Sequence, residues 1–301
     1  MKLILFTHKI DIDGMGSAVL AKLAFCNPEI VFCDTFEIDK KLNDFFENKK
    51  IYEFDKIFIT DIFPSLEMLK RIESDEKIKS KLKVLDHHST DLQKNEFDFV
   101  QIKINDKNGK CCGTTLFLKE LEDNFHFLAT KAVKMFAELT RRYDTWEWKT
   151  IYNDNLPNDL NLLFGAVKIQ KYISLMSEKL KFDVPFKFTA EELENIEKRK
   201  KQILKGCKTL EKKMEIKDFD GFKAGVVHDT VGNFRNEFAE YLKSTNHQID
   251  IMLMINHERG TVSIRSINPD ADVRPLVIKF GGKAHKNSGG FPISDEFLKL
   301  I

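Results

Sequence analysis

Histidine and aspartate side chains recur at four places in the first half of the chain, next to short apolar segments or helical patterns. They are His8, Asp11 and Asp13 in "THKIDIDGMGS", Asp61 in "KIFITD", Asp86, His87 and His88 in "KLKVLDHH", and Asp144 in "RRYDTW". Carboxylate oxygens with one or two imidazoles are the ligands that suit Mn²⁺ or Mg²⁺, whereas a structural Zn²⁺ site would more often use thiolates. The pattern predicts a divalent-metal site without cysteine.

Five of these side chains are aspartates, and five carboxylates gathered in one cleft would repel one another. A pair of cations would remove that repulsion. Taken singly, the residues also have structural explanations, since Asp61 suits a helix cap or a turn and His8 suits a hydrogen-bonded structural position. The joint pattern, with such groups at the ends of several separate strands, favours the metal site.

The elements that must position these residues are short strands alternating with helices. The segments "KLILFTH", "EIVFCD", "KIFITD" and "KLKVLDHH" predict strands, and "GMGSAVLAKLAF" and "SLEMLKRIES" predict helices. Such alternation indicates an α/β fold with a doubly wound, mainly parallel sheet and flanking helices, whose carboxyl edge carries the site. Helical patterns then dominate from about residue 113 to residue 180, among them the continuous pattern "PNDLNLLFGAVKIQKYISLMSEKL".

A highly charged segment separates this region from the rest of the chain. "TAEELENIEKRKKQILKGCKTLEKK" begins with a threonine N-cap and predicts an exposed linker helix. Beyond it, "FKAGVVHD", "IDIMLMINHE" and "TVSIRSIN" predict strands and "GNFRNEFAEYLKS" predicts a helix. At 301 residues two domains are expected, and we predict a catalytic domain over 1–188, a linker helix over 189–214 and a smaller α/β domain over 215–301.

The predicted second domain contains a glycine-rich loop, "GGKAHKNSGGFP", with His285, Lys286 and Asn287 between two Gly-Gly pairs. Such a loop lets the backbone come close to an anion, although it could also be a plain surface loop. Arg265 lies on a predicted strand and Arg274 follows a turn, and an arginine can bind phosphate with two hydrogen bonds. Together these residues favour a phosphate or nucleotide pocket.

Other residues near these motifs allow two interpretations. Gly14 and Gly16 either shape a tight strand-to-helix turn or let backbone amides approach a phosphate. Trp146, Trp148 and Phe164 either belong to the core or stack on nucleobases. The residues themselves leave both questions open.

Four segments, "THKIDIDGMGSA", "FITDIFPS", "KVLDHHST" and "RRYDTWEW", resemble in order motifs I to IV of the DHH phosphoesterase superfamily. The C-terminal "GGKAHKNSGGFP" resembles the Gly-Gly-Gly-His motif of the DHH-associated domain, except that Lys283 and Ala284 stand where the family has a longer glycine run. The combination of motifs is particularly similar to the nanoRNase, or oligoribonuclease, branch.

The resemblance implies a role for each matched residue. One metal ion would be bound by His8, Asp11 and Asp61, and a second by Asp13, Asp61, His87 and Asp144, so that Asp61 bridges them. His88 would face the substrate phosphate and Asp86 would orient a histidine, which makes these two the catalytic pair. The substrate-binding residues would be Arg265, Gly281, Gly282, His285 and Asn287. The expected cofactor is two Mn²⁺ ions per active site, with Mg²⁺ or Co²⁺ as alternatives.

Two such ions can activate a bridging hydroxide, so that no side-chain nucleophile is needed. We therefore expect hydrolysis of short oligoribonucleotides, held in a cleft between the domains, to nucleoside 5′-monophosphates, with 3′-phosphoadenosine 5′-phosphate as a second substrate. The alternatives are a phosphodiesterase for cyclic mono- or dinucleotides, a pyrophosphatase, and a regulatory module that binds nucleotides without turnover. The expected partners are short RNA or small nucleotides and, as one option, a second copy of the chain.

The overall composition limits the classes of protein that remain. The 48 basic and 47 acidic side chains leave a net charge of +1, so no global field draws the protein to long nucleic acids or to a membrane surface. The five cysteines form no CxxC pair, which suits a reducing compartment. The N-terminal apolar run is too short for a signal peptide or a membrane span. We predict a cytoplasmic protein.

Overall fold

The computed structural model describes residues 1–88, 95–107, 109–228, 234–245 and 247–301. The chain divides into two compact units, residues 1–196 and residues 197–301. The boundary falls within the segment that the sequence marks as a linker helix. Three predicted segments extend beyond the described residues, by Ser89 and Thr90 after "KVLDHH", by Asp229 after "FKAGVVH", and by Gly232 and Asn233 before "FRNEFAEYLKS".

The first unit alternates strands and helices before a run of helices. Its strands are β1 (Leu3–His8), β2 (Glu29–Cys33), β3 (Lys56–Thr60), β4 (Leu82–Asp86), β5 (Val100–Ile102), β6 (Asn105–Asp106) and β7 (Gly109–Lys110). Its helices are α1 (Ile12–Ala24), α2 (Ile38–Glu47), α3 (Leu66–Glu73), α4 (Glu76–Lys79), α5 (Gly113–Phe125), α6 (Lys131–Asp144), α7 (Glu147–Thr150), α8 (Leu156–Ala166), α9 (Ile169–Leu180) and the start of α10 (Ala190–Lys213), with a 3₁₀ helix at Lys50–Glu53.

The main sheet of the first unit has the strand order β2-β1-β3-β4-β5, and its strands pair in parallel. Both faces are covered by helices, because parallel strands with apolar side chains on both sides must bury both faces. Phe6 of β1 packs against Phe45 of α2 on one face, and Phe58 of β3 packs against Phe117 of α5 on the other. The predicted α/β fold with a doubly wound parallel sheet is confirmed.

The helical pattern over residues 157–180 folds as two helices. The structure breaks this segment into α8 and α9, and Val167 between them has an extended backbone. Tyr172 is buried, and its ring packs edge to face on Phe164 across the break, at a centroid distance of 5.5 Å. The periodicity of the apolar residues continues through the break, so the sequence pattern alone could not show it.

The second unit is a smaller α/β unit built on a mixed sheet. After the rest of α10 it contains β8 (Glu215–Phe219), β9 (Phe222–His228), α11 (Arg235–Ser244), β10 (Ile251–Asn256), β11 (Thr261–Ser266), α12 (Arg274–Lys279), β12 (Lys283–His285), β13 (Ser288–Pro292) and α13 (Asp295–Leu298). The strand order is β12-β13-β11-β10-β9-β8, and of these neighbours only β9 and β10 are parallel.

Two expectations for the second unit need correction. The glycine-rich segment predicted as a loop forms the antiparallel hairpin β12-β13 at the edge of the sheet. The linker helix α10 is only partly exposed, because Ile203, Cys207 and Leu210 pack into the core of the second unit. Thr189 does cap this helix, since its hydroxyl accepts the N–H of Glu192 at 3.2 Å.

The cysteines form no disulfide: Cys26 is exposed, and Cys33, Cys111, Cys112 and Cys207 are buried thiols. A search for membrane spans among the described residues finds no helix with the length and apolar character needed to cross a bilayer.

Candidate active site

The predicted ligands lie where the strand order of the first sheet reverses. β1 stands between β2 and β3, so the chain leaves β1 on one side and returns through β3 on the other. His8 ends β1 and Asp61 directly follows β3. Open α/β sheets bind their ligands at the carboxyl ends of the strands beside such a reversal, because the loops diverge there and leave a crevice.

His8, Asp11 and Asp61 form the first of two groups of side chains. Nδ1 of His8 lies 3.6 Å from Oδ2 of Asp11 and 3.6 Å from Oδ2 of Asp61. Asp11 is also the N-cap of α1, and its Oδ1 accepts the N–H of Asp13 at 3.1 Å. The first turn of the helix therefore fixes the position of Asp11 and leaves its second oxygen for the group.

His87 is the centre of the second group. Its Nε2 lies 3.4 Å from Oδ1 of Asp61, 3.5 Å from Oδ2 of Asp144 and 3.8 Å from Oδ2 of Asp13. The two oxygens of Asp61 thus face two different imidazoles, Oδ2 facing His8 and Oδ1 facing His87. The structure brings all six predicted metal ligands together, in two groups that share Asp61.

The backbone of helix α5 holds Asp13 in place. The N–H groups of Gly113 and Thr114 donate to the two carboxylate oxygens of Asp13 at 2.6 and 2.7 Å, and the Thr114 hydroxyl donates to its carbonyl at 2.7 Å. A side chain at Gly113 would place its Cβ 2.8 Å from Cβ of Asp61, so only glycine fits there. Sequence reasoning missed both residues. Their signal was "CCGTT", a glycine and threonines at the start of a predicted helix.

Gly14 serves packing. It lies inside α1 with no left-handed backbone, and a Cβ there would sit 1.9 Å from the carbonyl oxygen of His8. A Cβ on Gly16 would lie 2.2 Å from the Thr114 hydroxyl oxygen. Both glycines are explained by the close approach of α1 to β1 and α5.

The protonation equilibria show how crowded the negative charges are. Burial, and after it the neighbouring Asp61, raise the pKa of Asp13 to about 7. Burial also raises the pKa of Asp144 well above its ordinary value, although the charge of His87 opposes this. Burial lowers the pKa of His8, but its contacts with Asp11 and Asp61 outweigh burial and raise the pKa to about 10. These carboxylates therefore need a neighbouring positive charge to stay ionised together.

Asp61 has an unusual backbone. Its φ of 57° lies in the left-handed region, where a residue other than glycine is uncommon and costs free energy of the order of 1 kcal/mol or more. The conformation is held because its N–H donates to the carbonyl of Leu85 at 3.2 Å and its side chain is buried. Such strain is typical of residues whose side-chain direction is fixed by function.

The donor set fits divalent cations. Among the described residues, three buried polar atoms at this edge have no hydrogen-bond partner, namely Oδ2 of Asp61, Oδ2 of Asp86 and Nε2 of His87. Two groups of donor atoms each lie within 4.8 Å of one another: those of His8, Asp11 and Asp61, and those of Asp13, His87 and Asp144. Ligands that each stand about 2.1 Å from one ion lie roughly 3 to 4 Å apart. The unpaired atoms and their spacing fit two ions.

His88 and Asp86 form a separate pair next to this site. Nδ1 of His88 lies 2.8 Å from Oδ1 of the buried Asp86, and about half of the His88 side chain, 51%, is exposed. The hydrogen bond to Asp86 raises the pKa of His88 to about 9. The imidazole is therefore held protonated and oriented, with its other nitrogen directed away from Asp86. Asp86 and His88 also lie close enough to Asp61 and His87 to share a metal ligand set.

Asp144 is the last residue of α6, and a buried ion-pair network fixes this end of the helix. The Arg141 guanidinium donates to Glu138 at 2.7 Å and to Glu147 of α7 at 2.6 Å. Trp146 and Trp148 are partly buried and pack edge to face at a centroid distance of 5.5 Å. Their predicted contact with nucleobases stays a prediction.

In the second unit, two of the predicted substrate-binding residues share one row of the sheet. Ser288 of β13 is paired both with Arg265 of β11 and with His285 of β12, so the three side chains project from the same face. With strands about 4.8 Å apart, Arg265 and His285 lie roughly 10 Å from each other. Asn287 lies in the hairpin turn, and its carbonyl accepts the N–H of Ser266 at 2.9 Å.

Sequence reasoning missed Arg235, which adds a second guanidinium on this face. Arg235 begins α11, and its Nη1 donates to the Ser263 hydroxyl at 3.1 Å, while Nε of Arg265 donates to Asn236 at 2.9 Å. Burial, and after it the charge of Arg235, lower the pKa of Arg265 to about 10. Two cationic groups that are close together and partly desolvated are typical of an anion site.

The remaining predicted residues have structural roles of their own. Gly281 has a φ of 75° and ends α12, since its N–H donates to Ile278 and the N–H of Gly282 donates to Val277, both at 2.9 Å. A Cβ on Gly282 would lie 2.1 Å from the carbonyl oxygen of Gly290. The exposed guanidinium of Arg274 donates to Asp272, and its predicted contact with a phosphate stays a prediction. Ala284 has an ordinary strand backbone.

Comparison with known proteins gives one similar sequence and several similar folds. No family model matches the chain. It is 29% identical to oligoribonuclease NrnB of Bacillus subtilis (strain 168), over 99% of this chain and 74% of that protein. The fold is similar to that of exonuclease RecJ bound to manganese, with a TM-score of 0.57, 13% identity and coverage of 99% and 88% of the two chains. It is also similar to that of PggH from Vibrio cholerae, a pGpG-specific phosphodiesterase, with a TM-score of 0.54, 12% identity and coverage of 99% and 95%.

Proposed function

We propose that the chain is a phosphoesterase of the DHH superfamily and that it hydrolyses the phosphodiester bonds of short oligoribonucleotides to release nucleoside 5′-monophosphates. The observation that carries this proposal is the pair of imidazole and carboxylate groups that share Asp61. An arrangement of this kind holds two cations next to each other, which is the geometry that phosphate-ester hydrolysis uses.

In this proposal His8, Asp11 and Asp61 hold one divalent cation, and Asp13, Asp61, His87 and Asp144 hold the other. When bound, such cations lower the pKa of water and neutralise the charge that develops on a phosphate. Mn²⁺ is the ion we propose, because the donors are oxygens and imidazole nitrogens without a thiolate. The amides of Gly113 and Thr114 donate to both oxygens of Asp13 and hold it in this set.

The pair of His88 and Asp86 supplies the proton chemistry. Asp86 accepts from Nδ1 of His88 and keeps the imidazole protonated, so Nε2–H is free to donate to a phosphate oxygen or to the leaving oxygen. His88 is the catalytic residue in this scheme because it touches the substrate, and Asp86 positions it. The half-exposed imidazole can reach a ligand without moving the buried side chains around it.

Two observations support a short oligoribonucleotide as the substrate. The sequence relative is named an oligoribonuclease. The net charge of +1 gives the chain no basic track for a long polyanion, while the Arg235 and Arg265 pair offers a local site for one phosphate group. We propose 3′-phosphoadenosine 5′-phosphate as a second substrate.

The test is a substrate panel with defined metals. The purified chain is incubated with Mn²⁺, Mg²⁺, Co²⁺ or a chelator, and with labelled RNA of two to about 24 nucleotides, cyclic dinucleotides, cyclic AMP, 3′-phosphoadenosine 5′-phosphate and pyrophosphate. We expect rapid cleavage of the shortest RNA with Mn²⁺ and none with the chelator. The His87→Ala variant should be inactive, and His257→Ala, which removes an exposed imidazole from the second unit, should not differ from the wild type.

Each alternative gives a different outcome. Turnover of a cyclic nucleotide alone, or of pyrophosphate alone, would contradict the oligoribonuclease proposal and keep the phosphoesterase. Nucleotide binding without any turnover in all metals would show a regulatory module instead. Activity that survives the chelator would contradict the metal site.

A further inference from the structure

Phe36 is a solvent-exposed aromatic side chain beside the candidate active site. It is 76% exposed, whereas two residues close to it in the chain, Asp34 and Ile38, are only 8% and 1% exposed. An exposed apolar residue by itself needs no explanation. Phe36 is different because it lies on a tightly fixed turn, at the edge of the sheet that carries the proposed metal ligands.

Polar contacts fix the turn that follows β2, residues 34–37. The N–H of Glu37 donates to the carbonyl of Asp34 at 2.9 Å, and the N–H of Asp34 donates back to the Glu37 carboxylate at 2.9 Å. Nζ of Lys9 lies 2.9 Å from Asp34 and 3.2 Å from Glu37, and Nζ of Lys41 donates to Glu37 at 3.1 Å. A ring on such a turn loses little conformational freedom when it binds a ligand.

The same contacts place Phe36 near the site. Lys9, which holds the turn, directly follows His8, and Cys33 at the end of β2 is the pairing partner of His8. Ile10, the next residue after Lys9, is itself 54% exposed. Two exposed apolar side chains, Phe36 and Ile10, therefore stand beside a site that is made of charged groups.

We propose that Phe36 stacks on the nucleobase of the nucleotide whose phosphate lies at this site. The inference rests on the proposed function and adds the residue that recognises the base. A charged site with an exposed aromatic ring beside it fits a nucleotide, which joins a phosphate to a flat π-system. Because every base has such a face, Phe36 raises affinity for nucleotides of any sequence. One stacked base contributes about fivefold to 150-fold in affinity.

The test compares two ligands that differ only in the base, AMP and ribose 5-phosphate. Their dissociation constants are measured by calorimetry, with Mn²⁺ present, for the wild type and for Phe36→Ala, Phe36→Trp and Phe182→Ala. Phe182 is the matched control, since it is 67% exposed and belongs to the same unit. We expect the wild type to bind AMP about fivefold to 150-fold more tightly than ribose 5-phosphate. Phe36→Ala should bring this ratio close to one, and Phe36→Trp and Phe182→Ala should preserve it.

A wild-type ratio near one, or a ratio that Phe36→Ala leaves unchanged, would overturn the proposal. An equal loss of affinity for both ligands in Phe36→Ala would also overturn it, because the residue would then act on the phosphate site and not on the base. Hydrolysis of ApA is measured on the same preparations. Absence of turnover by the wild type would contradict the proposed function, while the affinity ratio would still decide the role of Phe36.

Discussion

The two units of this chain hold their charged groups in opposite ways. In the first unit, burial and the neighbouring Asp61 raise the pKa of Asp13 to about 7. In the second unit, hydrogen bonds lower the pKa of Asp250, from the N–H of Lys223 and from Asn268, and Arg274 lowers that of Asp272 to about 2. Asp250 and Asp272 are thus paired within the second unit, while the carboxylates at the edge of the first sheet crowd together.

The arginines show the reverse contrast. Arg141 of the first unit is buried between Glu138 and Glu147, whereas Arg235 and Arg265 of the second unit have no carboxylate partner among the residues that the structure describes. Groups that a fold leaves unneutralised indicate what it binds. The first unit is therefore suited to cations and the second to an anion, although both are α/β units. This contrast leads to three predictions.

The largest effect is expected from Asp61→Asn. Asparagine keeps the shape and tolerates the left-handed backbone, but it removes the charge that both groups share. We expect kcat on a short RNA to fall about a thousandfold or more, and Mn²⁺ binding to weaken. Asp11→Asn affects one group only and should cost less. Equal losses of kcat in the two variants would contradict the shared role of Asp61.

A smaller effect is expected in the second unit, from Arg265→Met. Loss of a charge-assisted hydrogen bond to a phosphate should raise KM about tenfold to a hundredfold and change kcat much less. Arg274→Met is the control, because the Arg274 guanidinium is already held by Asp272. If kcat fell and KM did not change, Arg265 would act on the reaction and not on binding.

The smallest effect concerns stability against acid. Hydrogen bonds from Tyr241 and His247, both at 2.7 Å, lower the pKa of Glu211 below its ordinary value of 4.5. The ionised carboxylate therefore stabilises the folded state above about pH 4.5, and this contribution is lost as the pH falls through the lowered pKa. It should be under about 1 kcal/mol because Glu211 is partly exposed.

The measurement for Glu211 is the free energy of unfolding of the wild type and of Glu211→Gln, from about pH 6 to about pH 3. The difference between the two proteins should shrink as the pH falls. A difference that stays constant would show that the Glu211 carboxylate is not stabilised by these donors, and would weaken the contrast between the two units.

Much of the first unit could be predicted from the sequence, because its strands are short apolar segments that end in polar residues. The four predicted strands correspond to β1 to β4, and alternation with helices indicated the parallel order. The hairpin β12-β13 could not be predicted, since glycine-rich strands carry no alternating apolar signal, and its two strands are ordered by pairing with each other and by the pairing of β13 with β11. The break between α8 and α9 could not be predicted either, because the periodicity of the apolar residues continues across it.

The sequence by itself determined which residues could bind metal, since the types and spacing of His8, Asp11 and Asp13 follow directly from the chain. Only the tertiary structure decided how the ligands divide into two groups that share Asp61. The pairing of β1 with β3 turns the two oxygens of Asp61 toward two imidazoles, and the first turn of α5 supplies the amides that hold Asp13. The tertiary structure also brought Arg235 next to Arg265. These contacts join residues far apart in the chain, and their distances depend on packing that no local pattern records.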